Sequence, residues 1–166
     1  MQIWGVPWND VAQLAISVVA FPFVVYQIWQ LNRSVQADTH SNLYDHYLKV
    51  IELFFEKPHL RPYFYECKRL TDDANAAGNE KLRREIDVMC ETIAGLLEHA
   101  AVQKKNLPGD SWENCWKAFT VERFRQSPAL RQFLAKNGGW YAEAFRTMLA
   151  KAGVVLHDGS AEAHDS

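Results

Sequence analysis

VAQLAISVVAFPFVVYQIWQL occupies residues 11–31, and no charged residue falls between Asp10 and Arg33. Coiled as a helix, these 21 residues reach about 32 Å, close to the roughly 30 Å hydrocarbon core of a bilayer. Each strongly apolar side chain favours insertion by roughly 0.3–0.6 kcal/mol, whereas one central charge costs roughly 2.5–3.5. With no charge to offset, the balance predicts a transmembrane helix over 11–31. Its polar members, Gln13, Gln27 and Gln30, lie toward the ends, where the penalty is smaller. Trp4 and Trp8 before it, and Tyr26, Trp29 and Arg33 at its far end, have the placing of a membrane-interface belt. Pro22 sits mid-span and predicts a kink that membranes tolerate.

Two other readings of this stretch compete. A buried helix of a soluble core can be this apolar, although few run so long with aromatics at both ends. A cleaved leader is the other, with Val35-Gln36-Ala37 as a loose cleavage site. Against it, no Lys or Arg precedes the run, the run is too long, and Arg33 follows directly. Orientation follows from flanking charge. Residues 1–10 carry no Lys or Arg, while Arg33, Lys49, Lys57 and Arg61 follow the segment. The positive-inside tendency therefore predicts residues 1–10 outside and the C-terminal domain in the cytoplasm.

Working outward, residues 32–42 form a polar neck, either a continuation of the helix or a break recapped by Asp38, Thr39 or Ser41. Residues 43–153 are expected to form one small all-α bundle, and 154–166 a disordered tail. The whole chain has 166 residues, room for one domain and an anchor. Leu43, Tyr47, Val50 and Phe54 make one helical stripe, and Tyr44, Leu48, Ile51 and Phe55 make its neighbour. Together they predict a wide face buried by several partners.

Pro58 stops that helix and opens a short one ending near Leu70. Thr71 to Asn79 reads as a loop, and Glu80 to about Lys105 as a long helix with Leu82, Ile86, Met89, Ile93, Leu96 and Ala100 inward. Leu107-Pro108-Gly109-Asp110 breaks it, and Asp110 or Ser111 caps a helix carrying Trp112, Trp116, Phe119 and Phe124 inward. Ser127-Pro128 starts the next, which stops at Asn137-Gly138-Gly139. A last helix, Trp140 to Ala152, points Trp140, Ala144, Met148 and Leu149 inward and ends at Gly153.

An internal echo runs through this pattern. Pro58-His59-Leu60-Arg61-Pro62-Tyr63-Phe64 and Pro128-Ala129-Leu130-Arg131-Gln132-Phe133-Leu134, seventy residues apart, share Pro-x-Leu-Arg-x-aromatic-apolar. Coincidence between two helix starts and a duplicated helix-turn-helix element both account for it. The same phrases, with Tyr26-Gln27-Ile28-Trp29-Gln30-Leu31-Asn32 upstream and Trp140-Tyr141 downstream, resemble a set of short uncharacterised bacterial proteins, membrane-anchored helical domains of unknown function. The resemblance reaches to about residue 150. It implies a single-pass bacterial inner-membrane protein and no activity, so it assigns no catalytic residue.

The search for chemistry is short. Net charge is −2, from eighteen Lys and Arg against twenty Asp and Glu, so nucleic acid is not an expected partner. Among six histidines Glu-x-x-His occurs once, at Glu56-Lys57-Pro58-His59 across a helix-breaking proline, so the paired di-metal pattern of helical bundles is missing and no metal site is expected. Cys67, Cys90 and Cys115 are widely spaced and read as small buried hydrophobes. No nucleophile elbow or phosphate-cradling loop occurs, and no catalytic residue or cofactor is expected. Lys68-Arg69, Arg83-Arg84 and Lys104-Lys105 read as solvated faces or as grips on anionic headgroups. Arg61 and Arg131, beside aromatics, are candidates to hold a partner carboxylate or stack on a ring.

Two functions follow as expectations. One is a non-catalytic interaction module, an accessory or scaffold subunit docking on another membrane protein or on itself. The other is a membrane-tethered small-molecule sensor or enzyme, its pocket between helices lined by Tyr63, Tyr65, Trp112 and Trp116.

Overall fold

The structure, a computed structural model, describes the backbone at residues 2–3, 6–72 and 78–155. Before Val18, the described side chains are those of Gln13 and Ile16. Trp4, the side chain of Trp8, residues 73–77 of the expected loop and 156–166 of the expected tail thus lie outside the described residues, whereas Val154, counted with that tail, is buried. The chain divides into two compact units, Met1–Asp38 and Thr39–Ser166.

In the first unit, Gln2–Ile3 (β1) and Val6–Pro7 (β2) pair antiparallel, two residues each, ahead of the start of α1. Everything else regular among the described residues is helical. Helix α1 runs from Trp8 to Glu56 without a break, through Pro22 and through the whole polar neck. Asp38, Thr39 and Ser41 are therefore interior helix positions, not caps. The reason is in the composition: between Pro22 and Pro58 there is no glycine or proline, and polar residues alone do not stop a helix. Within this unit the apolar side chains from Ile16 to Leu31 are solvent-facing, from 48% at Val24 to 72% at Phe21. Among the described residues no helix is long and apolar enough to cross a membrane. Val11, Ala12, Leu14, Ala15 and Ser17 of the apolar run lie outside the described side chains.

The second unit is an all-helical bundle: the last part of α1, then α2 (Arg61–Tyr65), α3 (Glu80–Val102), α4 (Lys117–Gln126), α5 (Pro128–Asn137) and α6 (Glu143–Lys151). Central α3 packs on α5 and α6, and α2 packs on α4 and α5. Its expected stripe is inward, with Ile86, Met89, Ile93, Leu96 and Ala100 buried and Leu82 packed at the edge. Asn79 caps it, its side-chain oxygen accepting from Leu82 N–H at 3.0 Å.

Both proline-led segments start helices. Pro58–Leu60 is a 3₁₀ turn leading into α2, and Pro128 opens α5. Their equivalent positions are equally deep: Leu60 is 1% and Leu130 0% exposed, Phe64 1% and Leu134 1%. Ser127 caps α5 as expected, accepting from Leu130 N–H at 3.1 Å. Helix α2 is shorter than the pattern suggested. It ends at Tyr65, and Cys67 takes a left-handed φ of 56°, so Leu70 is outside it.

Trp112–Trp116 forms a π-turn leading into α4, with both tryptophans buried. Ser111 does not cap; its hydroxyl donates back to Pro108 O at 2.6 Å. Trp140 is 70% exposed, contrary to the inward placement expected. It belongs to a 3₁₀ turn, Gly138–Trp140, and Tyr141 and Phe145 take the buried positions instead. Ala144 is also exposed. Helix α6 begins at Glu143, where Glu98 of α3 accepts the Ala142 N–H, and Gly153 closes it with φ 73°.

Candidate interaction surface

The two apolar stripes of α1 lie about 100° apart around the helix, and within the second unit they meet different fates. Leu43, Val50 and Phe54 are buried. Tyr47 crosses its ring edge-on to Trp116 and Phe119, at 6.4 and 5.6 Å between centroids. Phe54 does the same with Phe64 and Tyr65, at 5.6 and 5.3 Å. The bundle thus covers the first stripe, with Tyr47 left half-buried at its edge. The second is left outside: Tyr44 is 52%, Leu48 50% and Phe55 82% exposed, with Ile51 half-buried. The expected burial of both stripes is corrected here, because α2, α3 and α4 reach only one side of the helix.

The expected pocket residues do not converge on a cleft. Tyr63, Trp112 and Trp116 are core residues, 1%, 7% and 8% exposed. Tyr65 borders a void of about 10 Å³, the size of one small solvent molecule at most. A guanidinium the sequence reading missed lies beside it. Arg123 sits over the Tyr65 ring at 4.2 Å and near Phe119 at 5.4 Å. Its Nε and Nη1 are shut from solvent with no hydrogen-bond partner among the described residues. Burial pushes the Tyr65 hydroxyl up, against the pull of Arg123. The signal was available: Trp116, Phe119 and Arg123 follow one another at three and four residues, so Arg123 continues the apolar stripe of α4.

Arg61 also lies over the Tyr65 ring, at 5.5 Å. Arg131 instead closes the end of α4, donating to Phe124 O at 2.7 Å and to Arg125 O. Of the interface belt, Tyr26 and Trp29 lie with ring centroids 6.1 Å apart, and Arg33 lies over Trp29 at 5.3 Å.

An open groove of about 800 Å³ runs between α3 and α5, bordered by Val88, Glu91, Phe133, Lys136 and Trp140. His46 and His99 bring their rings to 6.3 Å. Among the described residues no group of three His, Cys, Asp or Glu is placed to hold a metal. Of the cysteines, Cys90 is buried, but Cys67 and Cys115 are exposed. Cys67 sits in the left-handed turn after α2, and Cys115 points out of the π-turn while its neighbour Trp116 points in.

No family model, curated protein or solved structure matches the chain.

Proposed function

We propose that the protein is a membrane-anchored, non-catalytic helical interaction module, whose bundle docks on another membrane protein or on a second copy of itself. One observation carries this: α1 presents large apolar side chains outward, from Ile16 to Leu31 and again at Tyr44, Leu48 and Phe55. Contiguous apolar surface on this scale is disfavoured in water and marks contact with lipid or protein. The charge-free run 11–31 supports lipid as the cover for the first part, with Tyr26, Trp29 and Arg33 at the headgroup level. The flanking charge supports the bundle in the cytoplasm. The resemblance noted above supports a bacterial inner membrane.

Fractionation tests the anchor. The intact chain is expected in the membrane pellet after an alkaline carbonate wash. Val19→Arg with Val24→Arg should move it to the supernatant. Intact unaltered chain recovered from the aqueous fraction, without detergent, sinks the anchor.

The small-molecule alternative is favoured by one observation, the groove beside Trp140. A ligand held there would quench or shift Trp140 fluorescence, and Trp140→Phe would abolish the change.

A further inference from the structure

His46 of α1 and His99 of α3 bring their rings to 6.3 Å between centroids, edge to face at 66°. The two helices run antiparallel here, since Lys57, just past the end of α1, meets Glu85 of α3 at 3.2 Å. Both histidines are exposed, so their rings are free to turn.

Imidazole nitrogen is the commonest side-chain ligand of the late first-row dications. A nitrogen bound at about 2.0–2.1 Å holds its ring centroid roughly 3.2 Å from the ion. Two rings on opposite sides of one ion therefore stand about 6.4 Å apart, and two at a tetrahedral angle about 5.2 Å. The observed spacing matches the first and reaches the second by about 1 Å of side-chain rotation, a motion that exposed residues make within nanoseconds. Asn42 lies one turn before His46, and Gln103 one turn after His99. The antiparallel register puts both amides on the same side of the pair, where their oxygens and water can complete the coordination. Asp45 and Glu98, beside the histidines in sequence, point about 100° away, and Glu98 is engaged by the Ala142 N–H. Two imidazoles without a carboxylate select Cu(II), Ni(II) and Zn(II) over Mg(II) and Ca(II).

We propose that His46 and His99 form a transition-metal site that bridges α1 and α3. The ion ties the last part of α1 to the central helix of the bundle. Only the folded chain brings the two rings together, so binding stabilises the fold by mass action. The site neither needs nor excludes the docking function.

The test uses the full chain in detergent, free of any affinity tag. His157→Ala, His164→Ala, Cys67→Ser and Cys115→Ser form the background, which removes the tail histidines and the exposed thiols. Titration with copper, nickel or zinc chloride, followed by calorimetry, should show one equivalent bound, tightest for Cu(II). His46→Ala and His99→Ala should each weaken binding about tenfold or more, and His40→Ala and His59→Ala should leave it unchanged. At a hundredfold excess over Kd the thermal midpoint should rise on the order of 5–10 °C, and either substitution at the pair should abolish the rise. No binding below about 1 mM, a threshold of roughly −4 kcal/mol, overturns the proposal. So does affinity that survives in His46→Ala or His99→Ala, which would place the ion on one helix or elsewhere.

Discussion

The Ser127 hydroxyl donates to the carbonyl oxygen of Tyr63 at 2.9 Å, across 64 positions of sequence, while accepting the Leu130 N–H of its own helix. One buried side chain, 0% exposed, therefore caps α5 and fastens α2 to it. The two proline-led segments that echo each other in sequence are neighbours in space.

Ser127→Ala removes both bonds from a dry site. A lost cap costs about 0.5–2 kcal/mol and a lost hydrogen bond about 0.5–1.5. The expected loss is about 1–3 kcal/mol, read from urea unfolding followed by tryptophan fluorescence. A loss below about 0.5 kcal/mol would mean that solvent reaches both groups.

Phe54 and Phe55 are neighbours with opposite burdens, 7% and 82% exposed. Phe54→Ala should destabilise the bundle by about 3–5 kcal/mol, as large aromatic truncations in cores do. Phe55→Ala should stay within about 0.5 kcal/mol in dilute detergent solution, where no partner covers it. Equal effects would show that the second stripe of α1 is covered within the chain.

Thiol labelling gives a count. Cys67 and Cys115 are exposed, whereas Cys90 is 1% exposed and burial pushes its thiol well up. A maleimide is expected to label two of the three thiols quickly, with Cys90 reacting only on unfolding. Mass spectrometry of the folded protein checks this, and rapid labelling at Cys90 would contradict the packing of α3.

Alkaline pH should loosen the bundle through Tyr141. Its hydroxyl is pushed up to about 12, first by burial and then by the charges of Glu91 and Glu98. In the unfolded chain the group titrates near 10, so below pH 10 both states hold the proton and its full contribution is present. Between about pH 10 and 12 the unfolded chain ionises while the folded one does not, and stability falls by up to about 1.4 kcal/mol per pH unit. Tyr141→Phe should flatten the slope of stability against pH over that window. An unchanged slope would place the hydroxyl in solvent.

What the sequence disclosed were the features set by local chemistry. Proline at 58 and 128, the Ser127 cap, and the stop at Gly138-Gly139 act within a turn or two, and each marks an element boundary in the structure. The stripe of α3 was also readable, since a central helix is covered along its inward face. Hidden were the features decided by what lies opposite. Periodicity shows that Tyr44, Leu48 and Phe55 form an apolar face, but not whether the bundle reaches it. Trp140 looked inward only while it was counted as helix. Arg123 was passed over because a charge on an apolar stripe is ordinarily a surface residue, and its aromatic surroundings come from helices distant in sequence. The polar neck misled for a simpler reason, since hydrophilicity says nothing of backbone conformation.

The packing of α2 on α5 also imposes an order in time. Leu60, Tyr63 and Phe64 leave the ribosome well before Leu130, Phe133 and Leu134, which pack against the same part of the core. At about 5–20 residues per second, the 64 positions between Tyr63 and Ser127 correspond to roughly 3–13 s of synthesis. For that interval the nascent chain carries an uncovered aromatic cluster. Chains truncated before Pro128 should therefore be prime targets for chaperones and proteases.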